Sequence, residues 1–319
     1  MTSFPILPFT IESFLSKYVM EDDMGNRLQA KVAIVVGAGQ TPGDTIGNGR
    51  AMAVLFAREG ARVMLVDRRL ESASETEAMI KKENGEAFAF KADVTKSEDC
   101  QAMVDACVKQ YDRIDILVNN VGIGGKGDAG PVKFSEDDWD RIFRVNLKGM
   151  FLTCKYVLPV MEQQERGSII NISSVAAVCA VSMVAYKASK AGVNALTHSI
   201  AMKYAKKGIR VNAIMPGLMK TPMAIEGISQ ARGIDKDELI KIRDKSVPLK
   251  GGMGDAWDTQ PMQLSSLLPT KPSSSPQSSF RLMAGNALRL GELQDIIETG
   301  DMHSWQEYRF PQKIRSVMN

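Results

Sequence analysis

The chain contains 319 residues with a formal net charge of +3 at pH 7, and 44% of its residues are hydrophobic and 24% charged. These proportions are ordinary for a globular protein, and the small, scattered charge predicts neither a nucleic-acid partner nor binding to an anionic membrane. With only two histidines, a histidine-rich metal site or a Ser-His-Asp hydrolase has little to build on, and we predict no metal. No apolar run reaches ~18 residues, so no membrane span is predicted.

Four cysteines, Cys100, Cys107, Cys154 and Cys179, form no CxxC pair and lie within apolar periodic segments. This pattern favours buried, reduced thiols over disulfides or a metal site. We therefore expect a cytoplasmic protein.

Residues 1–28 are predicted to form an N-terminal extension. The segment up to Asp23 is apolar, is interrupted by Pro5 and Pro8, and has Lys17 as its only cation. A secretory or mitochondrial presequence needs positive charge early, which this segment lacks. We expect a loosely ordered arm or a short packing helix.

A glycine-rich turn follows the first predicted strand. Residues 32–36 are a continuous apolar run, typical of a strand buried on both faces. The strand ends in Gly37-Ala38-Gly39, and Gly47-Asn48-Gly49 opens an alanine-rich helix predicted over 50–59. Glycines between a strand and a helix N-terminus let the backbone approach a pyrophosphate, whose charge the helix end stabilises.

The second strand strengthens this interpretation. It is predicted over 61–66 and ends at Asp67, where a carboxylate can bond the 2′-hydroxyl of an adenosine ribose. A kinase-type phosphate loop is excluded because no Gly-Lys-Ser/Thr sequence follows the glycines.

Strand and helix patterns alternate along the rest of the chain. Further strands are predicted over 87–92, 114–118, 168–172 and 209–214, and helices over 70–84, 97–111, 135–161 and around Tyr186 to about 207. Such alternation predicts an α/β fold with a doubly wound parallel sheet, the Rossmann fold, in one domain over 29–258. Ligands of this fold bind at the carboxyl ends of the strands, where the motifs lie.

One helix carries a candidate proton donor. Tyr186 and Lys190 are four residues apart and share a helical face, so the ammonium can favour the phenolate and lower the pKa of the phenol. General acid–base catalysis benefits from such a match to the working pH. Ser173, Ser174 and Asn146 can supply a polarising hydrogen bond and a further link for the proton. By itself the pair is weak evidence, since a surface tyrosine beside an extended lysine has the same spacing.

Taken together and in order, these motifs resemble the short-chain dehydrogenase/reductase family over about residues 25–258. The family's cofactor loop matches Gly37, Gly47 and Gly49, and its Tyr-x-x-x-Lys pair matches Tyr186 and Lys190. The resemblance implies Asn146, Ser174, Tyr186 and Lys190 as catalytic residues. It implies the following cofactor-binding residues: Gly37, Gly47, Asn48, Gly49, Asp67, Arg68, Asp93, Val94, Asn119, Asn120, Tyr186, Lys190, Pro216, Gly217 and Thr221.

The chain departs from the family pattern at three points. Ser174 lies one residue closer to Tyr186 than is common, so Ser173 stays an alternative. Val36 replaces a threonine, and about six extra residues separate Gly37 from the Gly47-Asn48-Gly49 group, which we interpret as an outward loop rather than a lost phosphate site. Asp67 favours NAD(H), because a carboxylate repels a 2′-phosphate, while Arg68 and Arg69 leave NADP(H) open.

The resemblance implies an NAD(P)-dependent oxidoreductase that interconverts a secondary alcohol and a ketone. Tyr186 exchanges the proton, Lys190 holds the ribose and lowers the tyrosine pKa, Ser174 bonds the substrate oxygen, and Asn146 places a relay water. A helical lid is expected over 221–245, whose Met219, Met223, Ile225 and Ile228 either line an apolar substrate pocket or pack ordinarily. The alternative is a nucleotide-binding sensor or scaffold without turnover, because of the altered loop and C-terminus.

The C-terminal segment, 259–319, does not follow the family pattern. Residues 260–280 are rich in Ser, Pro and Thr, which by composition indicates a linker. Displaced by one nucleotide, however, this region can encode ANAALFLASDEAKFITAVIFPADGG, which resembles the family's terminal helix and strand. A frame error, a mis-assigned intron or a mutation is our hypothesis. Loss of that strand would expose the edge of the strand at 209–214. We expect a homodimer through the Asn146 and Tyr186 helices rather than a tetramer.

Overall fold

The computed structural model describes residues 26–124, 130–248 and 250–258, together with the backbone of residues 280–282. The N-terminal arm before residue 26, residues 125–129 of the glycine-rich loop and most of the segment after residue 258 lie outside the described residues. The frame hypothesis therefore stays a prediction, and sequencing the transcript across residues 260–285 tests it.

A parallel sheet forms the centre of the molecule, as the strand–helix alternation predicts. Its strands lie in the order β3-β2-β1-β4-β5-β6-β9, and every pairing is parallel. The seven strands are β1 (Val32–Val36), β2 (Arg62–Asp67), β3 (Ala87–Lys91), β4 (Ile116–Asn119), β5 (Gly167–Ile172), β6 (Ile209–Met215) and β9 (Phe280–Leu282). Between β6 and β9, the strands β7 (Met219–Lys220) and β8 (Gly254–Asp255) form a separate two-stranded parallel ladder.

Helices connect and cover the strands. They are α1 (Asn48–Arg58), α2 (Leu70–Lys82), α3 (Ser97–Tyr111), α4 (Glu136–Phe143), α5 (Gly149–Gln163), α6 (Val184–Tyr204), α7 (Glu226–Arg232) and α8 (Lys236–Asp244). One apolar cluster packs α3, α5 and α6 onto one face of the sheet, and a second packs α1 and α2 onto the other. The doubly wound α/β prediction is confirmed. No helix among the described residues is long and apolar enough to cross a membrane.

Two predicted helices differ from the structure. The helix expected over 135–161 contains a π-helical turn, Arg144–Lys148, between α4 and α5. The helical lid expected over 221–245 is divided into α7 and α8, because Gly233 between them has φ +64° and ends α7 in the left-handed region.

The lid and the residues on either side of it share a small core, which we call the lid core. Ile225, Val247 and Met253 are buried together, with the partly buried Leu218 and Ile240 packed against them. Of the two alternatives for the lid side chains, pocket lining or ordinary packing, this core favours packing for Ile225. Ile225 belongs to this core and Met219, 6% exposed, is also buried, whereas Met223 is exposed.

The edge of β6 is also different from our expectation. The prediction of an exposed edge is wrong over its last three residues, where Ala213, Ile214 and Met215 pair in parallel with β9. At the other end of the chain, the described part of the predicted extension packs onto the domain. Leu28 is 3% exposed and lies in the core, and Arg27 pairs with Glu59.

Candidate functional site

The glycine-rich turn after β1 is built by close backbone contacts. Gly37 has φ +83°, a conformation that favours glycine, and its carbonyl accepts a hydrogen bond from Asn120 Nδ2 (3.1 Å). A Cβ on Gly49 would lie 1.9 Å from Gly37 O and 2.5 Å from Asn120 Nδ2. Only glycine therefore lets the start of α1 approach the end of β1 this closely.

The first turn of α1 fits an anionic group. Its N-cap is Gly47, which provides no side-chain cap, and no acidic residue lies in the first turn. The helix N–H groups and the positive end of the helix dipole are thus free of an internal anion. Asn48 Oδ1 is buried without a hydrogen-bond partner among the described residues. The free N–H groups fit the pyrophosphate of a dinucleotide, whose oxygens accept hydrogen bonds. Asn48 Oδ1 is itself an acceptor and needs a donor such as a hydroxyl group or a water.

The extra residues form a loop that Gln40 closes at its base. Gly47 N–H donates to Gln40 Oε1 (2.9 Å), and Gln40 Nε2 donates to the carbonyl of Thr45 (3.2 Å). Ser72 Oγ on α2 accepts from Gln40 N–H (2.9 Å). We name residues 40–46 the inserted loop. Because the loop is closed at its base, Gly47 still caps α1 and Asn48 and Gly49 still form its first turn.

Asp67 lies at the carboxyl end of β2, where the sequence places it. Its carboxylate accepts hydrogen bonds from Gly39 N–H (3.2 Å) and Arg69 N–H (3.0 Å), so its position is set by the backbone. The Arg69 guanidinium donates to the carbonyl of Gln40 (2.5 Å), and the Arg68 side chain is exposed.

The structure separates Asn119 from Asn120. The Asn119 side chain is 2% exposed and points into the interior, where its Nδ2 donates to Asn171 Oδ1 (2.9 Å) and its Oδ1 accepts from Thr153 Oγ1 (2.7 Å). Its amide therefore joins β4 to β5 and α5 and is not available to a ligand. Asn120 instead supports the turn at Gly37.

Asp93 and Val94 follow β3. Asp93 Oδ1 accepts from Thr95 N–H (2.9 Å) and Thr95 Oγ1 (2.8 Å), which fixes a local turn. Val94 is 6% exposed and packs against Gly149, where a Cβ would lie 2.8 Å from Val94 Cγ2. Their side chains are therefore structural, and what they offer a ligand is the backbone at the strand end.

Tyr186, Lys190 and Ser174 converge as predicted from the sequence. Lys190 Nζ lies 5.8 Å from the centroid of the Tyr186 ring and donates to the carbonyl of Ile172 (2.8 Å). Ser174 hydrogen-bonds the Tyr186 hydroxyl. Ser173 Oγ points away and donates to the backbone carbonyl of Lys190 (2.9 Å). Of the two candidate serines, only Ser174 is directed at the phenol.

The pKa shifts of this pair reflect burial. Burial raises the pKa of Tyr186, and the hydrogen bond from Ser174 opposes that rise. Burial lowers the pKa of Lys190 to about 8. The expectation that Lys190 brings the tyrosine pKa towards neutrality is thus not met in the protein alone, because burial disfavours the phenolate and is the largest cause of the shift, with Ser174 as the opposing one.

Asn146 lies in the π-helical turn and is completely buried. Its Oδ1 accepts from Ile123 N–H (2.8 Å), and its Nδ2 donates to the carbonyl of Ile123 (3.0 Å) and to Ser189 Oγ (3.1 Å). Both amide hydrogens are therefore taken, and one acceptor position on Oδ1 remains.

The loop after β6 brings the last predicted residues to the same end of the sheet. The Pro216 carbonyl accepts from Val175 N–H (3.1 Å), one residue after Ser174. Gly217 is partly buried, and Thr221, 7% exposed, starts the turn that enters α7. Pro216, Gly217 and Thr221 thus connect the serine-bearing turn to the lid.

Sequence reasoning missed three neighbours of the candidate site. Ser189 donates to the carbonyl of Tyr186 (2.8 Å) and bridges it to Asn146. A Cβ on Gly122 would lie 3.1 Å from Lys190 Nζ. Glu226 contacts the inserted loop, with its carboxylate accepting from Asp44 N–H (3.0 Å). Ser189 stands between Tyr186 and Lys190 in sequence, but no local signal points to Glu226.

Metal chemistry and thiol chemistry find no support in the described part of the chain. It contains no cluster of three His, Cys, Asp or Glu side chains arranged for a metal ion. Cys100, Cys107 and Cys154 are buried free thiols, and burial raises the pKa of each to about 12. Cys179, by contrast, is only partly buried.

Comparison with known proteins agrees with this architecture. Residues 31–231 match the family model described as short chain dehydrogenase. The 3-oxoacyl-(acyl-carrier-protein) reductase FabG of Thermotoga maritima is 38% identical over 210 residues, covering 65% of this chain and 81% of the relative. The 2-(R)-hydroxypropyl-CoM dehydrogenase of Xanthobacter autotrophicus is 38% identical over 234 residues, covering 71% of this chain and 89% of the relative.

Solved structures show the same likeness. A crystal structure of NAD⁺-bound xylitol dehydrogenase aligns with a TM-score of 0.68 and 32% identity, covering 76% of this chain and 94% of that chain. The glycine turn, strands β1 to β6 and the Tyr186–Lys190 pair lie within residues 31–231, which match the family model. The chain belongs to the short-chain dehydrogenase/reductase family of oxidoreductases.

Proposed function

We propose that this oxidoreductase interconverts a secondary alcohol and a ketone with a nicotinamide dinucleotide. The observation that carries the proposal is a partly buried tyrosine, Tyr186, that bonds Ser174 and has the Lys190 ammonium beside its ring. The uncapped N-terminus of α1 supports binding of the pyrophosphate at the same end of the sheet. When bound, the dinucleotide supplies the hydride acceptor or donor.

The residues of this chain divide the proton chemistry among them. In alcohol oxidation, the substrate O–H proton passes to the ionised phenol of Tyr186, and in ketone reduction the phenol returns it to the carbonyl oxygen. Ser174 hydrogen-bonds the same oxygen and stabilises the charge that develops there. Lys190 is buried to 2% exposure, so its charge acts in a medium of low polarity, where it stabilises the phenolate more strongly than it would in water.

A relay from Lys190 to solvent is part of the proposal. The absent side chain of Gly122 leaves room that borders both Lys190 Nζ and Asn146 Oδ1, which lie 3.1 and 3.8 Å from the position of a Cβ. Asn146 Oδ1 keeps one free acceptor position that a water can occupy. Ser189 holds the Asn146 amide in place.

We propose NAD(H) as the preferred dinucleotide. Asp67 is held by two backbone N–H groups at the end of β2, and a fixed carboxylate there bonds a ribose hydroxyl and repels a 2′-phosphate. Arg69 is engaged with the carbonyl of Gln40, which leaves Arg68 as the exposed cation that NADP(H) would require. The measured ratio of kcat/KM for NAD⁺ and NADP⁺ checks this preference.

The experiment is turnover of the purified full chain with a panel of secondary alcohols and ketones. Tyr186→Phe should lower kcat by ~10²–10⁴-fold, the usual contribution of a general acid or base, with NADH affinity unchanged. Ser174→Ala should lower kcat while Ser173→Ala, the matched control, should change mainly the stability. Equal loss in the two serine variants would contradict the assignment of Ser174.

A second result would favour a different function. If the wild-type chain binds NADH tightly but turns over no substrate of the panel, the protein is a nucleotide-binding member of the family without turnover. The inserted loop in the phosphate-binding turn is the feature that motivates this outcome.

We also propose a homodimer through α4, the π-helical turn, α5 and α6. On this face Trp139 and Phe151 are 36% and 48% exposed beside a groove of about 580 Å³. One acidic residue, Asp140, and two basic ones, Arg144 and Lys148, line the groove, so it carries both signs of charge that a self-complementary, two-fold contact can pair. Phe151→Glu should convert a dimer into a monomer in light scattering, and an unchanged mass would contradict this assignment.

A further inference from the structure

The inserted loop contacts the lid through a carboxylate. Glu226, at the start of α7, has a side chain 13% exposed, and its Oε1 accepts a hydrogen bond from Asp44 N–H (3.0 Å) across a sequence separation of 182 residues. A Cβ on Gly43 would lie 2.5 Å from the Glu226 carboxyl carbon, so the loop and the carboxylate are in close contact. The glycine is therefore required for this contact.

A lysine on α8 completes the contact. Lys236 Nζ lies 3.1 Å from Asp44 Oδ2 and 3.8 Å from Glu226 Oε1, which places one ammonium between two carboxylates. The hydrogen bond with Asp44 raises the pKa of Lys236. The pair with Asp44 is exposed and contributes little by itself. The carboxylates of Asp44 and Glu226 would otherwise repel each other and separate the loop from the lid, and the Lys236 ammonium offsets this repulsion.

The lid can act as one unit in this contact. Ile225, adjacent to Glu226, is buried in the lid core. The strands β7 and β8 precede and follow the lid in sequence, and they pair with each other. The loop is thus attached to a packed body and not to a single flexible helix. Any movement of that body away from α1 must break the bond between Glu226 and Asp44.

Buried oxygens without partners surround the same loop. Thr45 Oγ1, Asn48 Oδ1 and Glu226 Oε2 have no hydrogen-bond partner among the described residues. Buried polar atoms are normally satisfied, so unpaired ones indicate a place completed by a ligand or by water. Of the three, only the Thr45 hydroxyl can donate to an anionic phosphate, while the Asn48 and Glu226 oxygens only accept and need a donor such as a hydroxyl group.

We propose that the inserted loop and the lid form a clasp over the pyrophosphate site, with Glu226 and Lys236 as positioning residues that set how tightly the dinucleotide is held and how fast it leaves. The inference rests on the proposed function, because it requires the dinucleotide to bind at α1. Its physical basis is that release needs the lid to move, and the clasp opposes that movement.

The test measures NADH affinity and release rate by stopped-flow fluorescence on the full chain. Glu226→Ala and Gly43→Ala should each raise the release rate about 10-fold, a typical size for coupling between two elements. Because both changes break one contact, the double variant should release NADH no faster than the faster single variant. Lys236→Met should act in the same direction, and Lys241→Met, an exposed lysine on the same helix, is the matched control.

The outcomes separate the two proposals. A wild-type chain that binds neither NADH nor NADPH contradicts the proposed function and this inference with it. Binding by the wild type, with release from the folded Gly43, Glu226 and Lys236 variants at the wild-type rate, overturns the clasp alone. Additive effects of the Gly43 and Glu226 changes would also overturn it, since they would act through different contacts.

Discussion

Lys190 should make the stability of this protein depend on pH in a defined direction. Burial lowers its pKa from 10.5 to about 8 in the folded chain. Between these values the unfolded chain holds more protons than the folded chain, so the free energy of unfolding rises with pH over this interval. The lowered pKa of Lys190 reduces the free energy of unfolding by roughly 3 kcal/mol at pH 7 and by roughly 2 kcal/mol at pH 9.

The Lys190→Met variant isolates this effect. It lacks the titrating group and leaves the Ile172 carbonyl unpaired, a cost of about 1 kcal/mol that does not vary with pH. The free energy of unfolding of the wild type relative to the variant should therefore rise by about 1 kcal/mol between pH 7 and pH 9. Urea unfolding followed by circular dichroism at constant ionic strength measures it.

Other titrating groups cancel in this comparison. The buried cysteines, whose thiols ionise at high pH in the unfolded chain, are present in both proteins. Lys203→Met, at an exposed position on α6, is the control and should show no such trend. A wild-type-minus-variant difference that stays constant from pH 7 to pH 9 would show that Lys190 keeps its ordinary pKa, and the reasoning would be wrong.

Two further predictions concern the glycine turn at the cofactor site and the ion pair between Arg27 and Glu59. Gly49→Ala should destabilise the chain by about 1–3 kcal/mol and weaken NADH binding, because the new Cβ meets the Gly37 carbonyl. Calorimetric titration measures the binding, and Gly124→Ala is the control because a Cβ there has nothing within 4 Å. Arg27→Ala should cost roughly 1–3 kcal/mol at neutral pH, since it removes the guanidinium from a Glu59 carboxylate of 3% side-chain exposure and leaves it only the backbone N–H of residue 27. The Arg27 hydrogen bond lowers the pKa of Glu59 below 4.5, so the stabilisation by this pair is present above that pH and is lost on acidification. If urea unfolding shows the variant and the wild type to be equally stable at pH 7, the predicted role of the pair is wrong.

Much of the architecture could be predicted because it is encoded locally. Continuous apolar runs such as residues 32–36 are typical of strands buried on both faces. Their alternation with helices favours a parallel sheet with right-handed crossovers. The glycine turn, Asp67 and the Tyr186–Lys190 pair are recognisable from their order and spacing taken together, whereas the pair by itself is weak evidence. Their convergence follows from the rule that parallel strands end at the same edge of the sheet.

The finer electrostatics could not be predicted in this way. Spacing indicates that Lys190 stands near Tyr186, but the direction of each pKa shift depends on desolvation, which the surrounding chain determines. The same holds for Asn119, which was predicted among the cofactor-binding residues and whose side-chain amide bonds Asn171 and Thr153 in the interior.

By itself, the sequence determined the fold class, the family and the positions of the candidate catalytic residues, because each depends on periodicity or short spacing. Only the tertiary structure decided that Ser174 and not Ser173 faces the phenol, since neighbouring residues of an extended strand end point to opposite sides. It also decided that the inserted loop meets Glu226 and Lys236. A contact between residues 182 positions apart depends on how the lid packs, and no local pattern in the chain records it.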